Sequence, residues 1–329
     1  MKIIDFFFIN DPSCFFSISL ILFFVISFPK KSKNDRIFLM RRYYMQNIGF
    51  IGVGVMGQSM VRNLHNAGYT VTIYTRTKSK VEDLLKSGII WKDTVKECVQ
   101  NQDVIMTMVG YPQDVEEVYY GENGILENVP KGTLLIDFTT SAPALAQKIY
   151  TSANEKGLLS LDAPVSGGDI GAKNATLSIM VGGDEDAFEK AKPLFHILGK
   201  TIHYTGDAGM GQHTKMANQI VIAGTIAGVA EAIHYAHTAK LNTETMMQCI
   251  SSGAAGSWQL EHNGQAMIDQ DFNPGFYIKH FIKDMKIAQK EMDSYETHLN
   301  ILDKVLEMYE NLHEDENGTQ ALIHYYEKV

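Results

Sequence analysis

The sequence predicts an α/β fold, in which a doubly wound parallel sheet is followed by an all-helical domain. Three observations support this prediction. A glycine-rich turn directly follows a short apolar run at residues 47–51. Apolar runs then alternate with helical stretches as far as residue 162, and the longest helical stretch runs from residue 211 to about residue 240. Alternating strands and helices are typical of a mostly parallel sheet with helices on both faces.

The first predicted unit consists of a strand, a turn, a helix and a second strand. Residues 47–51 are predicted as the first strand, residues 59–67 as the helix and residues 70–74 as the second strand. The pattern G-x-G-x-x-G occupies residues 52–57, between the first strand and the helix. This order is the one that a dinucleotide-binding βαβ unit requires. The sequence therefore predicts a Rossmann domain.

Each glycine of this turn has a separate physical role. Gly52 permits the tight turn, Gly54 lets the backbone approach a pyrophosphate, and Gly57 allows close packing of helix and strand. The helix N-terminus offers free N–H groups and a positive dipole end to phosphates. The residues between the glycines, which we also assign to the cofactor site, are Val55 and Met56.

The end of the second strand indicates which dinucleotide binds. NAD sites usually place Asp or Glu at this position to hold the ribose hydroxyls, but this chain has Thr75, Arg76 and Thr77. A guanidinium flanked by hydroxyls suits the 2′-phosphate of NADP. We therefore expect NADP, with NAD as a possible cofactor. The alternative is that Arg76 is a solvated loop residue.

Further strands place three more residues near the cofactor. Ligands of doubly wound sheets bind beyond the carboxyl ends of the strands. This rule assigns Val109, Gly110 and Thr140 to the cofactor site, although each could also be a plain loop residue. The further predicted strands are residues 103–109, 133–138 and 158–162, and the helices between strands are residues 78–86, 113–119 and 144–156.

The segment 162–168 leaves a strand and enters a loop that contains Ser166, Gly167 and Gly168. Paired glycines expose backbone N–H groups and the serine adds a hydroxyl, so the loop can hold a carboxylate through several hydrogen bonds. The alternative is a tight turn without a ligand.

The long helical stretch carries a polar group near its start. Lys215, Asn218 and Gln219 are spaced i, i+3 and i+4 and share one helix face. The remainder is largely apolar, as expected of a helix buried between domains. Gly224 and Gly228 are interpreted as close packing in a soluble core rather than as a membrane dimerisation motif. The alternative to a site is that Lys215 is a solvated charge, as lysines at the start of a helix usually are.

Composition restricts the possible partners. The chain has 329 residues and a net charge of −9, which argues against a nucleic-acid-binding surface. Its three cysteines, Cys14, Cys98 and Cys249, are far apart and show neither a disulfide pattern nor metal-ligand spacing. We expect no metal and a cytoplasmic location.

Residues 1–44 differ from the rest of the chain. Their apolar run at residues 15–28 is shorter than the roughly 20 residues that a membrane span needs, and basic residues follow it. Three interpretations are open: a translated upstream region, a signal anchor, or a folded extension. We expect the first, with the working protein starting at Met45, because Met45 and Gln46 lead directly into the first strand.

Four motifs occur in the order found in one enzyme family: residues 49–57, residues 162–168 continuing to 176–183, residues 209–219 and residues 283–285. Together they resemble the β-hydroxyacid dehydrogenase family, which includes 3-hydroxyisobutyrate dehydrogenase and tartronate semialdehyde reductase. The resemblance covers about residues 47–329. It implies hydride transfer between NADP(H) and a small 3-hydroxy acid or the corresponding semialdehyde.

The resemblance also implies roles for individual residues. Lys215 matches the family's catalytic lysine, the general acid and base, and Asn218 stands beside it. Thr140 matches a hydroxyl next to the nicotinamide, and Lys283 matches a lysine that reaches the cofactor from the second domain. The residues implied to bind substrate are Ser166, Gly167, Gly168 and Gln219. Phe276, which falls where the family closes the pocket, is implied to bind the cofactor.

The predicted organisation has three parts. Residues 1–44 are an extension outside the fold, residues 45–206 are the Rossmann domain, and residues 207–329 are the helical substrate and dimerisation domain. We expect a homodimer or homotetramer, a small carboxylate-bearing substrate, and no membrane contact by the core. Two alternatives are an imine reductase and a non-catalytic dinucleotide-binding module.

Overall fold

The computed structural model describes residues 45–327. Residues from Gln46 onward form one compact unit. The three interpretations of residues 1–44 lie outside the described residues.

The first half of this unit is built on six parallel strands in the order β3-β2-β1-β4-β5-β6. This order, with its reversal beside β1, is that of a dinucleotide-binding doubly wound sheet. The central strands β4 and β5 are buried throughout because helices cover both faces. The predicted fold class is therefore confirmed. The strands are β1 Asn47–Ile51, β2 Thr70–Tyr74, β3 Ile90–Trp91, β4 Val104–Thr107, β5 Leu134–Asp137 and β6 Leu159–Asp162.

Short helices connect these strands. Two of them, α4 and α6, have proline in their first turn, where a missing N–H leaves no hydrogen bond unmade. The helices are α1 Val55–Asn66, a 3₁₀ turn Lys78–Val81 leading into α2 Glu82–Lys86, α3 Val95–Val99, α4 Pro112–Tyr120, α5 Ile125–Asn128 and α6 Pro143–Glu155.

An antiparallel extension completes the sheet. β8 runs antiparallel to β6 and β7 and parallel to β9. The sequence analysis did not predict β8 as a strand, although Leu177, Ile179 and Val181 alternate as buried residues along it. The elements of this extension are β7 Val165–Ser166, α7 Gly168–Lys173, β8 Leu177–Gly183, α8 Glu185–Leu198 and β9 Gly199–Gly206.

The second half is helical, as predicted. Its core is a single apolar cluster that includes Ile226, Ile233, Phe281 and Tyr309, all fully buried. The elements are α9 Met210–Thr238, α10 Thr243–Ser251, a π-helical turn Gln259–Gly264, α11 Gln265–Ile268, α12 Ile278–Ser294, α13 Asn300–Leu312, a 3₁₀ turn Thr319–Ile323 and α14 His324–Glu327.

Within residues 45–327, α9 is the one helix long and apolar enough to cross a membrane. Its apolar residues also form the centre of the helical core. The prediction that Gly224 and Gly228 pack closely is wrong within this chain. A Cβ added at Gly228 would meet nothing within 4 Å, and one at Gly224 would meet only Ile301, at 3.8 Å. This helix face therefore has open space beside it.

Candidate active site

The glycine turn after β1 is tight at two positions and open at one. Gly52 has a φ of +92°, and a Cβ there would lie 2.3 Å from the carbonyl oxygen of Met108. A Cβ at Gly57 would lie 2.3 Å from the carbonyl oxygen of Gly52, whereas one at Gly54 would meet nothing within 4 Å. The turn thus leaves space at the position where a pyrophosphate would approach the backbone.

The start of α1 has hydrogen-bond donors for a phosphate. Its N-cap residue is Gly54, which has no side chain to cap the helix. The backbone N–H groups of Val55 and Met56 therefore donate to no capping side chain. The tight turn, the space at Gly54 and the uncapped helix end fit a dinucleotide pyrophosphate.

Arg76 lies beyond the end of β2 and has an ion-pair partner. Its side chain is 76% exposed, and Nη1 lies 3.3 Å from Oδ1 of Asp114 in the first turn of α4. The second oxygen of Asp114 accepts a hydrogen bond of 3.0 Å from the backbone N–H of Tyr111. Thr75 and Thr77 flank Arg76, as the cofactor prediction requires. The sequence analysis did not predict Asp114 at this position.

The loop after β4 contacts both halves of the molecule. The backbone N–H of Val109 donates to the Thr139 hydroxyl at 3.0 Å. A Cβ added at Gly110 would lie 3.2 Å from Oδ2 of Asp114 and 3.9 Å from Cε1 of His280 on α12. The loop predicted to contact the cofactor therefore has little room for a side chain at Gly110.

A buried carboxylate forms hydrogen bonds at the ends of the strands that lead into these loops. Oδ1 of Asp137, the last residue of β5, accepts hydrogen bonds from the Thr107 hydroxyl at 2.7 Å and the Thr139 N–H at 3.0 Å. Burial raises the pKa of Asp137 to about 6, against the opposing effect of these hydrogen bonds. Asp137 thereby connects the carboxyl ends of β4 and β5.

Two residues of the helical half form hydrogen bonds with the backbone of the loop that contains Thr140. The Gln212 side chain donates to the carbonyl of Thr139 at 2.7 Å and accepts from the N–H of Ser141 at 2.9 Å. Nζ of Lys283 donates to the Thr140 carbonyl at 2.8 Å. The Thr140 backbone is thus held on both sides by residues of the helical half, and its contact with nicotinamide stays a prediction.

Lys215 lies one turn after Gln212 and is buried, with 6% of its surface exposed. Its Nζ makes no hydrogen bond or ion pair among residues 45–327. Burial lowers the pKa of Lys215 to about 8, while Asp284 acts to raise it and Lys283 to lower it. The pKa of Lys215 is therefore closer to neutral pH than that of an ordinary lysine.

A chain of polar contacts starts from the next turn of the same helix. Nδ2 of Asn218 donates to Gln219 at 2.7 Å, and Nε2 of Gln219 donates to Oδ2 of Asp284 at 2.7 Å. The other carboxylate oxygen of Asp284 lies 3.0 Å from Nζ of Lys283. The Gln219 amide is thus engaged at both ends by protein groups, and its predicted contact with substrate stays a prediction.

Asp162, the last residue of β6, docks the start of α9. Its two carboxylate oxygens accept hydrogen bonds from the backbone N–H groups of Gly209, at 2.8 Å, and Gln212, at 2.9 Å. The helix comes very close to the sheet here, since a Cβ on Gly211 would lie 2.5 Å from the Met180 carbonyl oxygen. The sheet therefore fixes the helix turn that leads to Lys215.

The predicted substrate loop approaches the helical half from the other side. Ser166 pairs with Ser178 in the antiparallel extension, and Gly167 and Gly168 have φ angles of +129° and +62°. A Cβ on Gly168 would lie 3.6 Å from the carbonyl oxygen of Gly275. The next residue is Phe276, whose ring packs 5.8 Å from that of Phe281 between centroids. The structure thus brings the substrate loop to the segment that holds Phe276.

Five polar residues that organise the site were not predicted as site residues. Three stand within motifs that the sequence analysis singled out, so their proximity to predicted residues was a usable signal. Of the other two, one ends a strand and one lies in the first turn of the helix after β4, so both are near the sheet edge where ligands of such sheets bind. The five are Asp114, Asp137, Asp162, Gln212 and Asp284.

Comparisons with known proteins identify the family of this chain. Two family models match: the NAD binding domain of 6-phosphogluconate dehydrogenase over residues 47–206, and the NAD-binding region of NADP-dependent 3-hydroxyisobutyrate dehydrogenase over residues 209–326. An uncharacterized oxidoreductase of Bacillus subtilis is 53% identical over 280 residues, which cover 84% of this chain and 97% of that protein.

Two further relatives have named activities. The 2-hydroxy-3-oxopropionate reductase of Escherichia coli is 42% identical over 241 residues, 73% of this chain and 82% of that one. The structure of Mycobacterium tuberculosis 3-hydroxyisobutyrate dehydrogenase with L-serine matches with a TM-score of 0.79 and 29% identity, covering 85% of this chain and 99% of the other. The chain therefore belongs to the β-hydroxyacid dehydrogenase family and is an NAD(P)-dependent hydroxyacid dehydrogenase.

Proposed function

We propose that this protein transfers a hydride between NADP(H) and a small 3-hydroxy acid or its semialdehyde, with Lys215 as the general acid and base. The observation that supports this most strongly is the burial of Lys215, whose Nζ has no partner among the described residues and whose pKa is lowered to about 8. A proton-transfer group is most effective when its pKa lies near the working pH.

The residues that would hold the dinucleotide follow from the two halves of the site. Gly52, Gly54 and Gly57 would receive the pyrophosphate, and Arg76 the 2′-phosphate. When bound, the cofactor supplies or accepts the hydride. Lys283, which holds the Thr140 carbonyl, would fix the loop that borders the nicotinamide.

Lys215 would donate a proton to the substrate oxygen or accept one from it, depending on the direction of the reaction. In the reducing direction its ammonium donates a proton to the alkoxide that forms at the former carbonyl carbon. In the oxidising direction its neutral amine takes the hydroxyl proton. Burial favours the neutral amine, while the Asp284 carboxylate stabilises the ammonium form and Lys283 opposes it.

The proposed substrate carries a carboxylate because Ser166, Gly167 and Gly168 offer a hydroxyl and backbone N–H groups to one. The named relatives support this class. The name of the Escherichia coli enzyme describes a three-carbon carboxylate with an oxo group at carbon 3, and the Mycobacterium tuberculosis structure contains L-serine, a 3-hydroxy carboxylate.

A substrate panel tests the proposal. NADPH consumption would be followed with small semialdehydes and with imines, and NADP⁺ reduction with L-serine and 3-hydroxyisobutyrate. We expect turnover of a semialdehyde that carries a carboxylate. We expect little activity on the analogous aldehyde in which an alcohol group replaces the carboxylate. Turnover of imines alone would contradict the proposal.

We also propose a homodimer or homotetramer that uses the outer face of α9. Val221 and Tyr235 on this face are 65% and 68% exposed, and Gly228 between them has open space. Exposed apolar patches of this kind are typical of protein interfaces. Light scattering should show an oligomer that Gly228→Arg dissociates, while a monomeric parent protein would contradict the proposal. The cytoplasmic location stays a prediction.

A further inference from the structure

Gln212 connects three separate elements of the molecule. Its side chain is fully buried at the start of α9. Its backbone N–H donates to Asp162 at the end of β6, at 2.9 Å. Its side-chain amide reaches the loop after β5, where it contacts the backbone of Thr139 and Ser141.

The two side-chain contacts have opposite polarity. The amide nitrogen donates to the carbonyl of Thr139 at 2.7 Å, and the amide oxygen accepts from the N–H of Ser141 at 2.9 Å. A primary amide supplies this donor and acceptor at any pH. Ionised glutamate would present a second acceptor to a carbonyl, and methionine would leave both backbone groups without a partner.

These contacts enclose Thr140. The carbonyl before it and the N–H after it are both bound to Gln212, and its own carbonyl is bound to Lys283. The backbone position of Thr140 is therefore determined by α9 and α12, not by the sheet alone. Its hydroxyl makes no hydrogen bond within residues 45–327, so it is available to a ligand.

Gln212 and Lys215 are three positions apart on the same helix and therefore lie on one face, one turn apart. A single rigid helix turn thus carries both the residue that holds the Thr140 loop and the proposed proton donor. A shift of α9 would move both together.

We propose that Gln212 is a positioning residue, which sets the distance between the nicotinamide-bordering loop at Thr140 and the proton donor Lys215. This inference rests on the proposed function of Lys215. Hydride and proton must reach adjacent atoms of one substrate, and misplacement by about 1 Å can lower a rate by about 10²-fold. Gln212 is proposed to touch neither the nicotinamide nor the substrate. It acts through the Thr140 loop that it holds and through the helix turn that it shares with Lys215.

The test compares Gln212→Glu and Gln212→Met with the parent enzyme. We expect kcat to fall by about 10- to 100-fold, while the Kd for NADPH changes less than about threefold, since the phosphates are held elsewhere. Deuterium at the transferred position of NADPH should also slow turnover more in the variants than in the parent, because hydride transfer becomes more strongly rate-limiting.

A matched control is available in Gln320. This glutamine is also buried and its amide nitrogen donates to two backbone carbonyls, those of Asp271 at 2.8 Å and Asn273 at 3.0 Å. Gln320→Met should lower the thermal midpoint without the isotope effect. If Gln212→Met behaves as Gln320→Met does, with a lowered midpoint and unchanged kcat, Gln212 is merely structural and the proposal is overturned.

Hydrogen exchange separates this inference from the proposed function. The amide of Ser141 should exchange faster in Gln212→Met than in the parent, whether or not any substrate is turned over. Unchanged exchange at Ser141 would overturn the anchoring by Gln212. Faster exchange with unaltered kcat, in a parent enzyme that does turn over semialdehydes, would overturn the positioning role alone. A parent without turnover on any semialdehyde would overturn the proposed function and, with it, the positioning role, while leaving the anchoring established.

Discussion

The guanidinium of Arg76 lies 3.3 Å from the carboxylate of Asp114, across the space between the ends of β2 and the start of α4. This pair changes what Arg76 can contribute to cofactor choice. A 2′-phosphate bound at Arg76 must either share the guanidinium with Asp114 or displace its carboxylate. The proposed preference for NADP would therefore depend on two residues, of which only Arg76 is evident from the sequence.

Substitutions at the two positions should act in opposite directions. Arg76→Ala should remove most of the NADPH preference, since one charge-assisted contact contributes about 1.5–3 kcal/mol, or tenfold and more. Asp114→Asn removes a negative charge near the phosphate but keeps an acceptor for Tyr111, and should tighten NADPH several-fold. Titration of both cofactors against each variant measures this. Equal use of NADH and NADPH by the parent would contradict it.

The glycine turn allows a structural effect to be separated from a binding effect. Gly57→Ala places a Cβ 2.3 Å from a backbone oxygen and should destabilise the protein by about 1–3 kcal/mol. Gly54→Ala meets no protein atom within 4 Å and should leave the thermal midpoint without cofactor unchanged. It should nevertheless weaken NADPH binding, because the methyl group occupies the pyrophosphate approach. Tight NADPH binding by Gly54→Ala would refute this assignment.

Replacement of Lys215 by methionine keeps most of the side-chain volume and removes the acid. General acid catalysis typically contributes about 10²–10⁴-fold, so kcat should fall by that order. NADPH affinity should change little. The measurement is steady-state turnover and cofactor binding on one folded preparation. Turnover within threefold of the parent would exclude the proton-donor role, and a parallel loss of NADPH binding would assign Lys215 to the cofactor.

The lowered pKa of Lys215 predicts the pH dependence of both directions. Reduction needs the ammonium, so kcat should be constant below about pH 8 and fall as the pH rises through about 8. Oxidation needs the neutral amine, so its rate should rise up to about pH 8 and then level. Asp284→Asn removes the carboxylate that raises this pKa, and should move both limbs to lower pH.

Pre-steady-state measurements in both directions would give these pH profiles without interference from product release. The control variant is Glu310→Gln. It removes the acid of a surface ion pair with Lys286 and should leave the pH profiles of both directions unchanged. Profiles of Asp284→Asn that coincide with the parent would contradict the electrostatic role of Asp284.

The sequence predicted those elements whose signal is local. The bounds of β1 and β2 are those found, because a glycine turn and a helix separate two short apolar runs. β3 has only two residues, too few to show a period. β8 was missed although its burial alternates, since it joins the sheet antiparallel to β6 and β7, outside the pattern of parallel strands on which the sequence analysis relied.

The same distinction holds in the site. Lys215, Asn218 and Gln219 lie on one helix, so their common face follows from spacing. The partner of Gln219 is Asp284, 65 positions away, and the loop bound by Gln212 is 71 to 73 positions away. Such contacts depend on how two halves pack, which periodicity does not reveal. The resemblance to a family pointed to the right motifs but not to these partners.

The carboxylate of Asp162 has a consequence for how the two halves unfold. Gly209, at the N-cap of α9, has no side-chain cap, and the helix takes its cap from Asp162, 47 positions earlier. If the halves separated, the first helix turn would lose its acceptor, and a buried carboxylate would lose its donors. Two regions that match separate family models therefore form one cooperative unit, and denaturant should unfold both in a single transition.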